Sequence, residues 1–426
     1  MPSSESPISK RVESAGIPDA GKVLYFAHYN SSLNFRHYYE AGNCLRGQGK
    51  TAEAIEAWET ALELNPNNVD AHLDLGSLLA ESGDIEGALN HFQAAARLEP
   101  SNIDANYFLG LAYFRLENYK TALKYWKHCF TCKTEGIDEI TLRMCLAEAY
   151  RALGRFQKAI YQLEQILNSS PHNLDAYNVL AMVLFEMDQK SLAMEVLQQA
   201  LACAPNFYRT HLNLGVLYFD RGAIDMAIHE FKKACQANPL DADSFYNLGR
   251  SLAVRGQAPQ ACQALRRSLE IDPQQLDCMS LLGNLELLLG EFTLARGRFT
   301  QILESDPHNV EALCSLGEVE HRQFNYQEAE EYLLQALRLE PENPMVHYSL
   351  GLLYRDQSKK LPTALKHMRQ AVLLQKENPE YHLVYGDLLL ESDQPDKARQ
   401  AWNRALKLDP LLQEDVQARL KRLADT

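Results

Sequence analysis

The sequence predicts an all-α fold of tandem helix pairs, and three periodic features carry this prediction. Prolines recur, mostly at intervals of 34 residues. A Gly or Ala stands twenty-four residues before the end point of each second helix, or twenty-five in the tenth repeat at Gly351, and an Ala stands twelve residues before that point in all eleven repeats. Two helices cross closely only where both present small side chains, so each repeat is expected to be one antiparallel helix pair. The prolines are Pro66, Pro100, Pro171, Pro205, Pro239, Pro273, Pro307, Pro341 and Pro410.

Apolar spacing within a repeat supports the same assignment. Leu75, Leu78 and Leu79 lie on one face of a first helix, and Leu89 and Phe92 lie on one face of a second helix. The proline follows the second helix, because a ring without an amide hydrogen cannot continue it, and the polar residues around it favour a turn.

The small residue, the second Ala, an aromatic such as Trp58, Phe92, Trp126, Phe231 or Trp402, and the terminal Pro resemble the tetratricopeptide repeat (TPR) family. The resemblance covers 35–412 and implies a right-handed superhelical α-solenoid of antiparallel helix pairs, in which the first helices line a concave groove. The expected repeats are 35–68, 69–102, 103–136, 140–173, 174–207, 208–241, 242–275, 276–309, 310–343, 344–378 and 379–412.

The segments outside the array need separate predictions. Residues 1–22 are rich in Ser and Pro and are expected to be a disordered tail. Residues 23–34 are rich in aromatic side chains and are predicted to cap the first repeat, with self-association as the alternative. Residues 413–426 are predicted to form a C-terminal capping helix, since the last repeat also needs a cover.

Composition excludes several classes of partner. The formal charge of −14 argues against nucleic acid, whose non-specific binding depends on basic charge. No apolar run approaches the length of a spanning helix, and the N-terminus does not read as a signal peptide, so no membrane insertion is expected. Nine scattered cysteines favour reduced thiols and a cytoplasmic location.

Motifs that would carry chemistry are incomplete. The string Arg46 to Thr51 ends in GKT, but it falls in a predicted turn between helices and not after a strand, so a phosphate cradle is not expected. Cys129 and Cys132 have metal-ligand spacing without a second pair, and Cys129 replaces a core Ala, which favours packing. We therefore expect no metal, no cofactor and no catalytic residue.

A recurrent acid stands second in many repeats, at Asp70, Asp104, Asp175, Asp243, Asp277, Glu311 and Glu380. We interpret these acids as helix-start residues that accept backbone N–H bonds and complement the helix dipole. The alternative is an acidic rim that binds basic peptides.

The resemblance implies that roughly the second, fifth, sixth, ninth, twelfth and thirteenth residues of each repeat face the groove. The carboxylate clamp by which some TPR modules bind the C-terminus of heat-shock chaperones is disfavoured, because Asp74 and Phe108 occupy positions where it needs Asn and a cation. An inward Asn ladder, as in the repeat region of O-linked N-acetylglucosamine transferases, is reduced to Asn213 and Asn247.

The groove positions of repeats three to eight are mainly apolar, which suits an amphipathic helix or an extended segment of a partner protein. Leu287 and Leu288 are predicted to line the groove with them, and packing between adjacent first helices is the alternative role for these side chains. The candidate peptide-binding residues are Tyr107, Phe108, Leu111, Phe114, Val179, Met182, Phe185, Asn213, Val216, Phe219, Tyr246, Asn247, Arg250, Leu281 and Asn284.

The sequence thus predicts a non-catalytic scaffold or adaptor that holds a segment of another protein. The alternative is a regulatory or targeting subunit of an enzyme complex whose catalytic chain is separate. An enzyme in its own right ranks last, because no complete catalytic motif is present.

Overall fold

The computed structural model describes residues 31–132, 137–357 and 360–424, and within these ranges the chain is helical and has no strand. The predicted tail at 1–22 and residues 23–30 of the aromatic segment lie outside the described residues. The first helices of the pairs are α1 (Ser31–Gly47), α3 (Val69–Glu81), α5 (Ile103–Arg115), α7 (Glu139–Ala152), α9 (Leu174–Glu186), α11 (Tyr208–Asp220), α13 (Ala242–Val254), α15 (Leu276–Leu288), α17 (Val310–Arg322), α19 (Pro344–Asp356) and α21 (Pro379–Glu391).

The second helices follow after short turns, and a final helix closes the described chain. They are α2 (Thr51–Leu64), α4 (Ile85–Leu98), α6 (Tyr119–Cys129), α8 (Phe156–Ser169), α10 (Lys190–Cys203), α12 (Ile224–Ala237), α14 (Ala258–Ile271), α16 (Phe292–Ser305), α18 (Tyr326–Leu339), α20 (Leu361–Leu374) and α22 (Pro395–Leu408), with a 3-10 turn at Pro410–Leu412 and α23 at Gln413–Ala424.

The chain forms two compact units, Met1–Asn213 and Leu214–Thr426, which we call the N-terminal and C-terminal units. In each unit the helices of a pair pack on each other, and second helices pack on the first helix of the following pair. Fully buried aromatic rings fill the contacts. They are Trp58, Phe92 and Trp126 in the N-terminal unit and Phe231, Phe299 and Trp402 in the C-terminal unit.

The small residues predicted at the helix crossing do permit close approach. A Cβ added at Gly76 would lie 2.7 Å from the Phe92 ring, and one at Gly283 would lie 2.8 Å from the Phe299 ring. The second small position is fully buried in every repeat. It comprises Ala54, Ala88, Ala122, Ala159, Ala193, Ala227, Ala261, Ala295, Ala329, Ala364 and Ala398.

Helix starts correct the interpretation of the recurrent acids. The backbone N–H bonds are accepted by the residue just before the helix, as where the Asn68 side chain accepts from the Ala71 amide at 2.7 Å. Asn102, Asn173 and Asn309 do the same in their repeats. An acid two residues after the cap, such as Asp70, lies in the first turn of the helix. Its charge complements the helix dipole there, but it is not the cap.

The fourth residue of many repeats secures the turn that precedes its helix. Its side chain bonds the carbonyl oxygen six residues earlier, as where Asn106 Nδ2 donates to Pro100 O at 3.0 Å. His72, Tyr177, His211 and His347 reach the matching proline carbonyls. The proline carbonyl oxygen, which follows the end of a second helix, thereby gains a hydrogen bond, and this bond stabilises the turn.

None of the helices over the described residues has the length and apolar character that crossing a membrane requires.

Candidate functional site

The predicted groove residues lie on the first helices α5, α9, α11, α13 and α15. Fourteen of the fifteen are half-buried, and Asn284 is exposed. Both roles considered from the sequence, groove surface and packing between helices, therefore apply to the same side chains. Their contacts decide which role each one has.

In the N-terminal unit the aromatic candidates are mostly engaged in packing. Phe108 stacks on Phe92 of the preceding repeat with ring centroids 5.2 Å apart, and Phe114 lies 5.7 Å from the Trp126 ring. The Tyr107 hydroxyl is bonded to Cys145 of the next repeat, and burial raises the pKa of Tyr107 to about 12. Tyr107 and Phe108 thus contact neighbouring repeats, whereas Phe114 packs within its own repeat.

Polar candidates are also tied to neighbouring groups. Asn213 Nδ2 donates to Asn178 Oδ1 at 2.8 Å, and the buried Asn178 donates in turn to Thr210 Oγ1 at 3.0 Å. Asn247 Nδ2 donates to the Asp243 carbonyl of its own helix at 2.9 Å. The two Asn side chains of the predicted ladder therefore bond the protein itself through their amide nitrogens.

Ion pairs link the ends of successive first helices in several places. The twelfth residue of one repeat pairs with the thirteenth of the next, as Arg46 with Glu81 and Arg151 with Glu186, both at 2.6 Å. His321 pairs likewise with Asp356 at 2.8 Å. These ion pairs join the C-terminal ends of neighbouring first helices in both compact units.

In repeats seven and eight both of these positions are apolar, whereas in repeat six only the twelfth is apolar and the thirteenth is Asp220. Phe219, Ala253 and Leu287 occupy the twelfth position, and Val254 and Leu288 occupy the thirteenth in repeats seven and eight. Val254 and Leu288 expose 60% and 67% of their surfaces. The C-terminal unit thus presents an apolar region where other repeats have ion pairs.

Leu287 is a correction to the sequence-based assignment. Its side chain is only 4% exposed and belongs to the core, whereas the adjacent Leu288 points to solvent. Successive residues on a helix point about 100° apart, which here places Leu287 against the core and Leu288 in solvent.

Arg250 stands out because its charge has no carboxylate partner among the described residues. Its guanidinium carbon lies 4.3 Å from the centroid of the Phe219 ring, and its Nε is buried without a hydrogen-bond acceptor. Other half-exposed arginines of this unit are paired, as Arg255 is with Asp225 at 3.1 Å. A cation held over a ring in a partly desolvated place is a strong site for a carboxylate.

Sequence reasoning named Phe219 and Arg250 separately but missed their stacking. The twelfth position of one repeat and the ninth of the next become neighbours only when first helices pack side by side. Their spacing of thirty-one residues carries no local signal.

The candidate chemical motifs have structural roles in the described chain. Burial raises the pKa of the Cys129 thiol to about 12, which disfavours the thiolate that binds metal. Within the described ranges no group of three His, Cys, Asp or Glu residues is arranged to hold a metal ion. Gly49 of the GKT string has φ of 74° in the turn between α1 and α2.

These features define a class of protein, an α-helical repeat scaffold whose first helices offer one region of unpaired charge and apolar surface. Tetratricopeptide repeat models match residues 39–102, 73–126, 150–214, 212–275, 281–344, 322–372 and 348–413. The chain belongs to the tetratricopeptide repeat family.

Solved structures similar to this chain include the APC/C hetero-tetramer Cut9–Hcn1, with 17% identity, a TM-score of 0.46, and coverage of 98% of this chain and 99% of the other. Yeast Tom70 gives 15% identity, a TM-score of 0.43 and coverage of 93% and 96%. The pilF protein of Pseudomonas aeruginosa gives 22% identity, a TM-score of 0.44 and coverage of 49% and 94%. No curated protein matches the chain.

Proposed function

We propose that this protein is a non-catalytic scaffold that binds a segment of a partner protein on the first-helix face, centred on α11, α13 and α15. The observation that carries the proposal is the Arg250 guanidinium, stacked on Phe219 without a carboxylate partner. A partner segment with an acidic group beside apolar residues would pair with the Arg250 guanidinium and cover the apolar surface around Phe219.

The surrounding candidates support an apolar contact around this charge. Val216, Tyr246 and Leu281 are half-buried, and Asn284 is exposed. Each can lose further surface on binding, at a gain of roughly 25 cal/mol for each Å² of apolar area removed from water. The candidates of the N-terminal unit, from Tyr107 to Phe185, are proposed as a secondary part of the binding face.

A reducing, cytoplasmic setting is part of the proposal. All nine cysteines lie in the described ranges, and they are free thiols there. Burial raises the pKa of Cys314 to about 12, which keeps this thiol protonated and unreactive.

The proposal is tested by affinity capture from cells of the protein's own source, with quantitative mass spectrometry. Arg250→Glu should lose the captured partner at least about ten-fold, because a buried like charge then faces the acidic group. Lys232→Glu makes the same charge change on the exposed face of α12 and should retain the partner. Circular dichroism checks that both variants fold. Equal recovery with Arg250→Glu would contradict this binding face.

A further inference from the structure

A second surface lies at the turns between the two helices of repeats six to nine, and it adjoins the proposed face at Val254, one helical turn after Arg250. Apolar side chains there are unusually exposed: Leu288 exposes 67% and Phe324 exposes 74% of its surface. Clustered exposure of this kind is typical of protein interfaces. We call this surface the turn edge, and it comprises Met226, Val254, Leu288, Leu289, Leu294 and Phe324.

The members of the turn edge adjoin one another across repeats. Met226 and Val254 line one shallow cleft between the turns of repeats six and seven. Leu294 and Phe324 line another between the turns of repeats eight and nine, beside Gly290. Leu288 and Leu289 directly precede that glycine in the turn of repeat eight. Exposed apolar side chains therefore occur at every turn from repeat six to repeat nine, and we call this series the row.

Phe324 marks this row by its backbone as well as its exposure. It has φ of 64°, a left-handed conformation that costs a side-chain-bearing residue roughly 1 kcal/mol. Six repeats have glycine at this turn position, and three others have Glu117, Asp188 or Asp393. A large apolar ring that is both strained and in water contributes little to folding, which points to a role in binding.

The charges around the row are already neutralised by the chain itself. Arg266 pairs with Glu291 at 2.9 Å, and Arg322 pairs with Glu318 at 2.6 Å. Arg255 is likewise paired with Asp225. The apolar side chains of the row carry no charge themselves and the arginines beside them are paired, so we expect the side chains of a partner that contact the row to be apolar.

The backbone of the turns indicates the conformation of that partner. The amides of Gly290 and Glu291 donate to Leu287 O and Glu286 O, and the Asn325 amide donates to Glu320 O. An extended segment that pairs as an added strand needs free backbone groups to bond, and these amides are used. A helix satisfies its own backbone and can dock through side chains alone.

We propose that the turn edge is the docking surface for an amphipathic helix of a partner protein. Neighbouring helices pack about 8–10 Å apart and the two clefts lie two repeats apart, so apolar side chains fourteen apart on one helix, separated by about 21 Å, can enter both clefts. This surface is distinct from the Arg250 face, and neither proposal requires the other.

The test measures binding of a fluorescent synthetic helix by anisotropy. The probe carries Leu at seven-residue spacing on one face and Ala, Gln and Lys elsewhere, and a scrambled peptide of the same composition is its control. The full chain should bind the ordered probe at least about ten-fold more tightly than the scrambled one. The double variant Leu288→Glu with Phe324→Gly should weaken binding at least about ten-fold.

Matched variants separate this surface from general stickiness and from the Arg250 face. Phe324→Gly supplies the residue that this turn favours and Leu288 is 67% exposed, so the double variant should fold, which circular dichroism checks. Leu240→Glu alters an equally exposed side chain, 72% exposed, in the turn between α12 and α13, and should bind as wild type. Arg250→Glu should also bind the probe as wild type.

The proposal would be overturned if the ordered and scrambled probes bound equally, or if neither bound. It would also be overturned if the double variant bound as wild type, or if Arg250→Glu lost binding. Sedimentation of the full chain checks the remaining occupant. Self-association that the double variant abolishes would show that a second copy, and not a partner helix, covers the edge.

Discussion

At the scale of single residues, the fold depends on pairs formed by a glycine on a first helix and a large side chain on the second. Six repeats pair glycine with an aromatic ring, as Gly42 with Trp58 and Gly386 with Trp402. In the two repeats with alanine at this position, Ala147 and Ala181, the facing residue of the second helix is Leu163 or Leu197. In three further repeats glycine faces Leu265, Leu333 or Met368, so in each glycine repeat the large side chain of the second helix occupies the space that a Cβ would fill.

Gly283→Ala tests this pairing directly. The new methyl would lie 2.8 Å from the Phe299 ring, which is fully buried and has no room to move. We expect a loss of about 1–3 kcal/mol in the free energy of unfolding, measured by urea denaturation followed by circular dichroism.

Gly297→Ala in the same repeat is the matched control. This glycine lies within α16 and a Cβ there would have nothing within 4 Å. Alanine should stabilise the helix by about 0.5–1 kcal/mol. If both substitutions shifted the unfolding midpoint in the same direction, packing at Gly283 would not be the controlling factor.

At the scale of helices, buried ion pairs join neighbouring repeats in the C-terminal unit. Glu286 on α15 and Glu320 on α17 are buried at a position where other repeats have tyrosine, such as Tyr113 and Tyr354. Arg266 reaches Glu286 from α14 at 3.0 Å, and Arg296 reaches Glu320 from α16 at 2.8 Å. Each pair fixes a second helix against the next first helix.

Arg266→Met should destabilise this contact by about 3 kcal/mol, because the fully buried Glu286 carboxylate would keep only Arg298, at 3.9 Å. Arg267→Met changes the adjacent residue, whose pair with Glu270 is exposed, and should cost less than about 0.5 kcal/mol. Chemical denaturation of the two variants measures the difference. Equal costs would mean that the Arg266 pair does not hold the helices together.

At the scale of the whole molecule, stability comes from contacts between neighbours, as expected for a helical repeat protein. The last described helix, α23, places the fully buried Val416 in one cluster with Leu389 and Trp402 of the final repeat. An uncovered end would leave that cluster in water.

Removal of residues 413–426 should therefore loosen α21 and α22 while α13 to α16 keep their protection. Hydrogen exchange followed by mass spectrometry resolves the two regions. Leu411→Ala, at a residue 91% exposed, should leave both unchanged. Uniformly faster exchange along the chain would contradict a local covering role for α23.

The sequence alone determined the fold of this protein, because a solenoid repeats one local solution. Its period of 34 residues, the paired small positions and the terminal prolines define where helices cross and end. The sequence also indicated a mainly apolar first-helix face. It misassigned the helix caps, since an acid and an Asn near a helix start look equally suitable until the hydrogen bonds are known.

Only the tertiary structure decided which side chains of that face are free. Phe108 and Asn213 are engaged by neighbouring repeats, whereas Arg250 is left over Phe219 without a carboxylate. Phe324 is likewise 74% exposed, although its turn lies beside Leu294 of the preceding repeat. The period specifies which residues recur. Which side chains remain free to bind a partner depends on contacts between repeats, and these contacts are set by packing in three dimensions.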